Sequence, residues 1–235
     1  MLPTSLLSNS TVTTAAGAVA LLLVVLIILS TLGALVTFTI VVIANRADPD
    51  PTGKRPLAAY LFGGSFVTLW ITFAALTSIA FTIINLIGSH SSDSSSHAIN
   101  AYSDSVIRSL VLGVIVTAIA GYAYRIHRQR GIELAESDVD ASSPSKRVLR
   151  GYAAAVSFIT TVIVILGSIA FVYEIFQLIA PGVFMASGGR VDTLKSLLED
   201  LVVLGLASYI FRSHQALVPA DQRLFAALRS TPTAE

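Results

Sequence analysis

The chain lacks cysteine and has few charged residues for its length. The absence of cysteine excludes disulfide bonds, thiol catalysis and iron–sulfur clusters held by thiolates. Charged residues make up 12% of the 235 residues and hydrophobic residues 54%, whereas soluble domains average about 25% charged residues. The composition therefore excludes an ordinary soluble domain and indicates an integral membrane protein.

The usual sequence patterns of catalysis are missing as well. The chain contains no glycine-rich phosphate loop, no zinc-binding helix motif and no Gly-x-Ser-x-Gly. Its formal net charge of +1 provides no basic face of the kind that nucleic-acid binding needs. We therefore predict a protein that is not an enzyme, needs no cofactor and binds no nucleic acid.

One stretch of the chain occurs twice, first as Lys54–Arg128 and again as Lys146–Gln215. Each copy opens with Lys-Arg-x-x-x-x-Tyr, continues through a Ser-Phe pair in a long apolar run, and closes with Tyr-x-aromatic-Arg-x-His. An internal repeat dictates architecture. Because each copy contains an even number of apolar runs, both copies insert in the same sense, around an axis along the membrane normal.

The apolar runs predict an all-α integral membrane protein with five transmembrane helices. One extra helix precedes a pseudo-twofold four-helix bundle, which is formed by two parallel two-helix repeats. Each run approaches the roughly 20 residues that a 30 Å bilayer core requires. The predicted helices are Ala15–Ala44, Pro56–Leu86, Ile107–Tyr124, Leu149–Ala180 and Leu194–Phe211.

This pattern divides the chain into five parts. They are an N-terminal transmembrane helix (1–45), the first repeat (46–130), a cytoplasmic linker (131–145), the second repeat (146–216) and a C-terminal tail (217–235).

Lysine and arginine placement predicts the orientation, because cytoplasmic loops are enriched in both. One set of loops holds only Arg108, Arg190 and Lys195. The other set holds Arg46, Lys54, Arg55, Arg125, Arg128, Arg130, Lys146, Arg147, Arg150, Arg212, Arg223 and Arg229. We therefore expect a multi-pass protein of a bacterial plasma membrane, with its N-terminus outside and its C-terminus in the cytoplasm.

The last predicted helix is too short to span unless it includes charged residues. Only Leu201–Phe211 is uncharged after Asp200, so Glu199, Asp200 and Lys195 must lie in the outer part of the bilayer. Lys195 and Glu199 are four residues apart on one helix face and can pair. Glu174, near the outer end of the preceding helix, could meet Arg190 or Lys195.

Two readings of this cluster remain open. Intramembrane carboxylates are costly and often functional, which favours an ion or proton site at Glu174, Lys195, Glu199 and Asp200. An ion-pair network that fixes helix register, or a contact with a partner subunit, explains the same residues. The first copy carries Thr82, Leu112 and Gly113 at the positions of the three carboxylates, so either role belongs to the second copy alone.

Histidines raise two further possibilities. His127 and His214 end equivalent helices, and paired histidines can ligate a haem or a similar macrocycle. Cations also suit helix C-termini, which explains both histidines without a cofactor. His90, Asp93 and His97 lie in a Ser-rich stretch without the fixed spacing of a metal site, and we predict no metal there.

The repeated unit resembles a known bacterial group. Lys-Arg, Tyr60 or Tyr152, a long apolar helix with Ser-Phe inside it, and an ending of aromatic-x-x-His are its shared features. Together they resemble an uncharacterised membrane-protein family of the domain-of-unknown-function type, built from tandem two-helix units. The resemblance covers both copies and implies that architecture, but no activity and no site residue.

The sequence leaves three interpretations of the protein's function open. A structural or accessory subunit, bound to other membrane subunits or to a second copy within the lipid bilayer, fits the absence of catalytic motifs. A small transporter or sensor would use the acidic cluster. A haem- or pigment-binding redox subunit would use His127 and His214.

Overall fold

The computed structural model describes Thr39, Ile43 and Asp50 individually, and residues 53–87, 96–138, 143–184 and 189–217, with only the backbone for 96–105. These residues form four α-helices and, within the described ranges, no strand. The all-helical prediction is confirmed. The helices are α1 (Arg55–Leu86), α2 (Ser96–Glu136), α3 (Pro144–Ile179) and α4 (Arg190–Gln215).

Three of the described helices are long and apolar enough to cross a membrane, at Arg55–Leu86, Val106–Glu136 and Pro144–Ile179. Their length and composition support a membrane protein. α4 has 26 residues but does not meet the same criterion, since charged side chains interrupt its first half. The first predicted helix (15–44) and most of the tail lie outside the described residues.

α1 and α2 form an antiparallel hairpin that closes tightly at glycines. A Cβ atom on Gly113 would lie 2.6 Å from the Ile79 side chain, and one on Gly131 would lie 2.9 Å from the Phe62 ring. Small residues of this kind let membrane helices approach closely. The two contacts fall near opposite ends of the interface, so the helices stay together along most of their length.

The second hairpin, α3 and α4, packs on the first chiefly through α1. The shared core joins Phe62 and Phe66 of α1 with Tyr152, Val156 and Ile159 of α3. The Phe62 and Tyr152 rings stack with their centroids 5.3 Å apart. Aromatic pairs at this separation contribute more than their buried area alone, so this stack helps to hold the hairpins together.

Burial is concentrated at one end of the bundle, where α1 and α3 begin and α2 and α4 end. We call this end the basic end and define it by Lys54, Arg55, Arg125, Arg128, Arg130, Lys146, Arg147, Arg150 and Arg212. We call the opposite end the acidic end and define it by Glu174, Glu199 and Asp200. The last buried residue of α3 is Ile163, so the half of α3 toward the acidic end is more exposed, although Gly167 there approaches the Leu204 side chain of α4 closely.

α2 is far longer than predicted. The sequence indicated a short helix over Ile107–Tyr124, whereas α2 spans 41 residues from Ser96 to Glu136. The polar run 125–136 contains the helix formers Arg, Gln, Glu, Leu and Ala, and its apolar periodicity is hidden by charge. Ala135, which is 1% exposed, and Gly131 pack inward, so α2 continues into the predicted linker (131–145) as far as Glu136.

The other boundaries shift by a few residues. α3 begins at Pro144. Proline suits the first turn of a helix, because the backbone N–H that it lacks would have no acceptor within the helix at that position. α4 begins at Arg190, where the Asp192 carboxylate accepts a hydrogen bond from the Gly189 N–H at 3.2 Å. This contact places a negative charge at the positive end of the helix dipole.

Candidate functional site

The acidic end joins α1 to α4 through an amide–carboxylate hydrogen bond. Asn85 Nδ2 donates to Glu199 Oε1 at 2.7 Å and also to the Phe81 carbonyl at 2.9 Å. The sequence reasoning missed Asn85. An amide in the last turn of an otherwise apolar helix was the available signal, because such a group needs a partner in lipid.

The other two carboxylates are less well satisfied. Glu174 Oε2 and Asp200 Oδ2 are buried and have no hydrogen-bond partner among the described residues. Glu174 lies within electrostatic range of both Asp200 and Glu199, so the structure brings together the three carboxylates predicted to cluster. The repeat aligns Asp200 with Gly113, which packs against α1. A carboxylate therefore takes the place of a close-packed glycine.

The predicted cationic partners do not contact this cluster. Among the described side chains, neither Lys195 nor Arg190 forms an ion pair with Glu174, Glu199 or Asp200 within 4.0 Å. Lys195 acts on Glu199 only at longer range. Within the described ranges, no three His, Asp or Glu side chains are arranged to hold a metal ion. His90 and Asp93 lie outside those ranges, as does the side chain of His97.

A buried tyrosine–histidine pair lies at the basic end. His214 and Tyr152 are both 0% exposed. The Tyr152 hydroxyl lies 2.9 Å from His214 Nε2, and His214 Nδ1 lies 2.8 Å from the Ile210 carbonyl oxygen. Since a carbonyl can only accept, Nδ1 carries the proton and Nε2 accepts from Tyr152. The Tyr124 side chain of α2 lies within electrostatic range of Tyr152.

The first copy contains the same pair in a looser form. The Tyr60 and His127 ring centroids are 5.7 Å apart, but no hydrogen bond joins the rings and Tyr60 is 66% exposed. His127 Nδ1 lies 2.8 Å from the Ala123 carbonyl oxygen, as in the second copy. Gly64 explains the difference, because a Cβ there would lie 2.8 Å from the His127 ring. The second copy has Val156 at the aligned position.

This geometry bears on the two histidines as cofactor ligands. Both ring nitrogens of His214 are engaged inside a packed core, so the ring has no lone pair to offer an iron or magnesium ion. His127 Nε2 has no hydrogen-bond partner among the described residues, but His127 faces Tyr60 and Gly64 and does not face His214. The two histidines therefore do not form a shared axial site in this conformation.

A polar junction at the basic end was not predicted. Lys54 Nζ donates to Asp138 Oδ1 at 2.7 Å and to Ser137 Oγ at 2.9 Å. The Ser145 hydroxyl donates to Asp138 Oδ2. The Lys54 hydrogen bond, followed by that of Ser145, lowers the pKa of Asp138 below its ordinary value. The junction ties together the start of α1, the end of α2 and the start of α3.

The sequence offered little warning of this junction. Asp138 belongs to the predicted cytoplasmic linker (131–145), and a carboxylate in a polar loop normally contacts only water. Its burial follows from the unexpected length of α2, which carries it back to Lys54.

Comparison with known proteins gives no relative from which a role could be transferred. No protein-family model matches the chain, no curated protein matches it, and no solved structure matches it.

Proposed function

We propose that this chain is a non-enzymatic integral membrane protein that serves as an accessory subunit of a larger membrane complex. The observation that carries the proposal is the contrast between the two ends of the bundle. The basic end is closed around a packed core, whereas the acidic end combines sparse burial with carboxylate oxygens that lack hydrogen-bond partners. Lipid tails cannot supply a donor to a carboxylate, but a helix of a partner subunit can.

This proposal predicts a complex that depends on the acidic end. Purification in a mild detergent should yield an assembly of defined stoichiometry, and Asp200→Ala or Glu199→Ala should weaken it. The monomer should keep its helical content, because these carboxylates lie outside the core. Glu133→Ala, an exposed carboxylate at the basic end, is the matched control and should leave the assembly intact. Recovery of a functional, partner-free monomer would contradict the proposal.

A small transporter or sensor is the second candidate, favoured by one specific observation. Glu174 Oε2 and Asp200 Oδ2 have no hydrogen-bond partner among the described residues, and the two carboxylates lie within electrostatic range of each other, as an ion or proton site requires before it is loaded. Proteoliposomes containing the wild type would then dissipate a proton or sodium gradient, and Glu174→Gln would abolish this leak. No leak above that of protein-free vesicles would eliminate this candidate.

We also propose that the chain crosses the membrane five times and that its two hairpins are related by a pseudo-twofold axis along the membrane normal. Matched hydroxyl contacts support the repeat. Thr68 Oγ1 donates to the Gly64 carbonyl at 2.7 Å, and the aligned Thr160 Oγ1 donates to the Val156 carbonyl at 2.9 Å. The two tyrosine–histidine pairs support it as well, since each joins the start of one helix to the end of the next.

We also propose an orientation in the membrane and a family for the chain. We place the basic end in the cytoplasm of a bacterium, because lysine and arginine accumulate on that side of the plasma membrane. The resemblance to tandem two-helix proteins of unknown function fits the two hairpins and identifies no ligand.

A further inference from the structure

Among the described residues, cations outnumber carboxylates at the basic end. The described carboxylates there are Asp50, Glu133, Glu136 and Asp138, against the nine cations that define the end. Asp138 is engaged by Lys54, and Asp50 accepts a hydrogen bond from the Arg55 backbone N–H at 3.0 Å. Nine cations against four carboxylates leave an excess of five positive charges among the described residues of this end.

Arg125 and Arg212 stand out among these cations. Both are exposed, and neither forms an ion pair with a described side chain. They occupy the same place in the two copies, directly after Tyr124 of α2 and Phe211 of α4. Tyr124 and Tyr209 lie within electrostatic range of each other, so these parts of the two helices approach one another in the bundle.

Their neighbours indicate the depth at which they lie in the membrane. On α2, Ile119 is 67% exposed and Tyr122 is 69% exposed, one turn or two before Arg125. On α4, Tyr209 is 73% exposed, one turn before Arg212. Exposed tyrosines at the end of an apolar run are typical of the lipid headgroup layer. An arginine one turn further reaches the phosphates.

We propose that Arg125 and Arg212 bind the phosphate groups of anionic phospholipids at the basic end of the bundle. A guanidinium forms paired N–H···O bonds to phosphate oxygens, a geometry that an ammonium does not reproduce. The excess of cations strengthens attraction to an anionic leaflet, and basic clusters next to membrane helices recognise such lipids. This inference depends neither on the accessory role nor on which side of the membrane the basic end faces.

The test compares lipid selectivity of the purified protein. Wild type in neutral detergent is equilibrated with an equimolar mixture of phosphatidylglycerol and phosphatidylcholine, and the lipids retained are measured by mass spectrometry. Wild type should retain phosphatidylglycerol selectively. Arg125→Gln and Arg212→Gln should each reduce that selectivity about fivefold, the factor expected for one basic residue at an anionic surface. Arg125→Lys with Arg212→Lys should recover part of it.

The opposite end of the same helices provides the control. Arg108 on α2 and Arg190 on α4 are also exposed, and Arg108→Gln with Arg190→Gln should leave the selectivity unchanged. An equal loss in this control pair would overturn the proposal, as would a wild type without selectivity for phosphatidylglycerol. Displacement of the lipid by millimolar inorganic phosphate alone would indicate a free-anion site and would also overturn it. Equal melting temperatures for all variants exclude misfolding as the cause.

Discussion

Tyr152 and His214 form a buried pair that is joined by a hydrogen bond of 2.9 Å. Removing the hydroxyl leaves His214 Nε2 buried without a donor, which costs about 1–3 kcal/mol. Tyr152→Phe should therefore lower the stability of the bundle by that amount, measured as thermal unfolding in detergent.

The first copy provides the control for this substitution. Tyr60 is exposed and its hydroxyl makes no hydrogen bond to His127. Tyr60→Phe should change the free energy of unfolding by no more than about 0.5 kcal/mol. If both substitutions cost the same, the Tyr152–His214 hydrogen bond does not stabilise the fold.

Asp138 gives the molecule an acid-sensitive contact. Its pKa is lowered in the folded state because Lys54 and Ser145 donate to its carboxylate. A lowered pKa stabilises the fold above the unfolded-state value and loses that contribution as the pH falls through the folded value. The melting temperature should therefore fall as the pH drops below about 4.

Asp138→Asn isolates this contribution. The variant should melt at a lower temperature than wild type at neutral pH, and the difference should shrink as the pH falls through the lowered pKa of Asp138 and its carboxylate becomes protonated. Glu133→Gln is the control, because Glu133 is exposed and its side chain forms no hydrogen bond or ion pair with a described side chain. A constant difference between Asp138→Asn and wild type at every pH would show that the Asp138 charge has no role in stability.

At the scale of elements, the hairpin of α1 and α2 depends on the absence of a side chain at Gly131. A Cβ there would lie 2.9 Å from Phe62, which is 0% exposed and stacked on Tyr152, so its ring cannot retreat. Gly131→Ala should destabilise the bundle by about 1–3 kcal/mol through overpacking, measured by unfolding in detergent.

Gly63 is the matched position, since a Cβ there meets nothing within 4 Å. Gly63→Ala should stabilise α1 by up to about 1 kcal/mol, because alanine favours the helix more than glycine does. A stabilising Gly131→Ala would mean that α2 does not pack against Phe62 in the membrane.

The helices were easier to predict than their ends. α1 was predicted almost to the residue because Pro56 marks its first turn and its apolar run has no interruption. The C-terminal part of α2 was not predicted, because the charged residues around Gly131 and Ala135 hide the fact that these two positions face inward. The three carboxylates were found because they are costly in lipid, whereas Asn85 and the junction at Asp138 depend on contacts between distant parts of the chain.

At the scale of the whole molecule, the predicted orientation can be tested with single cysteines, because the chain has none of its own. Val183, beyond α3, is 75% exposed, and Glu136 ends α2 at the other side. A membrane-impermeant maleimide should label Val183→Cys in intact cells, and should label Glu136→Cys only after lysis. The reverse pattern would invert the proposed orientation.

The uneven distribution of the core also affects how the protein is made. α1 and α2 leave the ribosome before α3 and α4, and their mutual contacts at Gly113 and Gly131 involve no residue of the later helices. One face of the Phe62 ring remains uncovered until α3 is inserted and Tyr152 packs against it. We expect the first hairpin to be stable in the membrane before the second is synthesised, and the two hairpins to join only after α3 has been inserted.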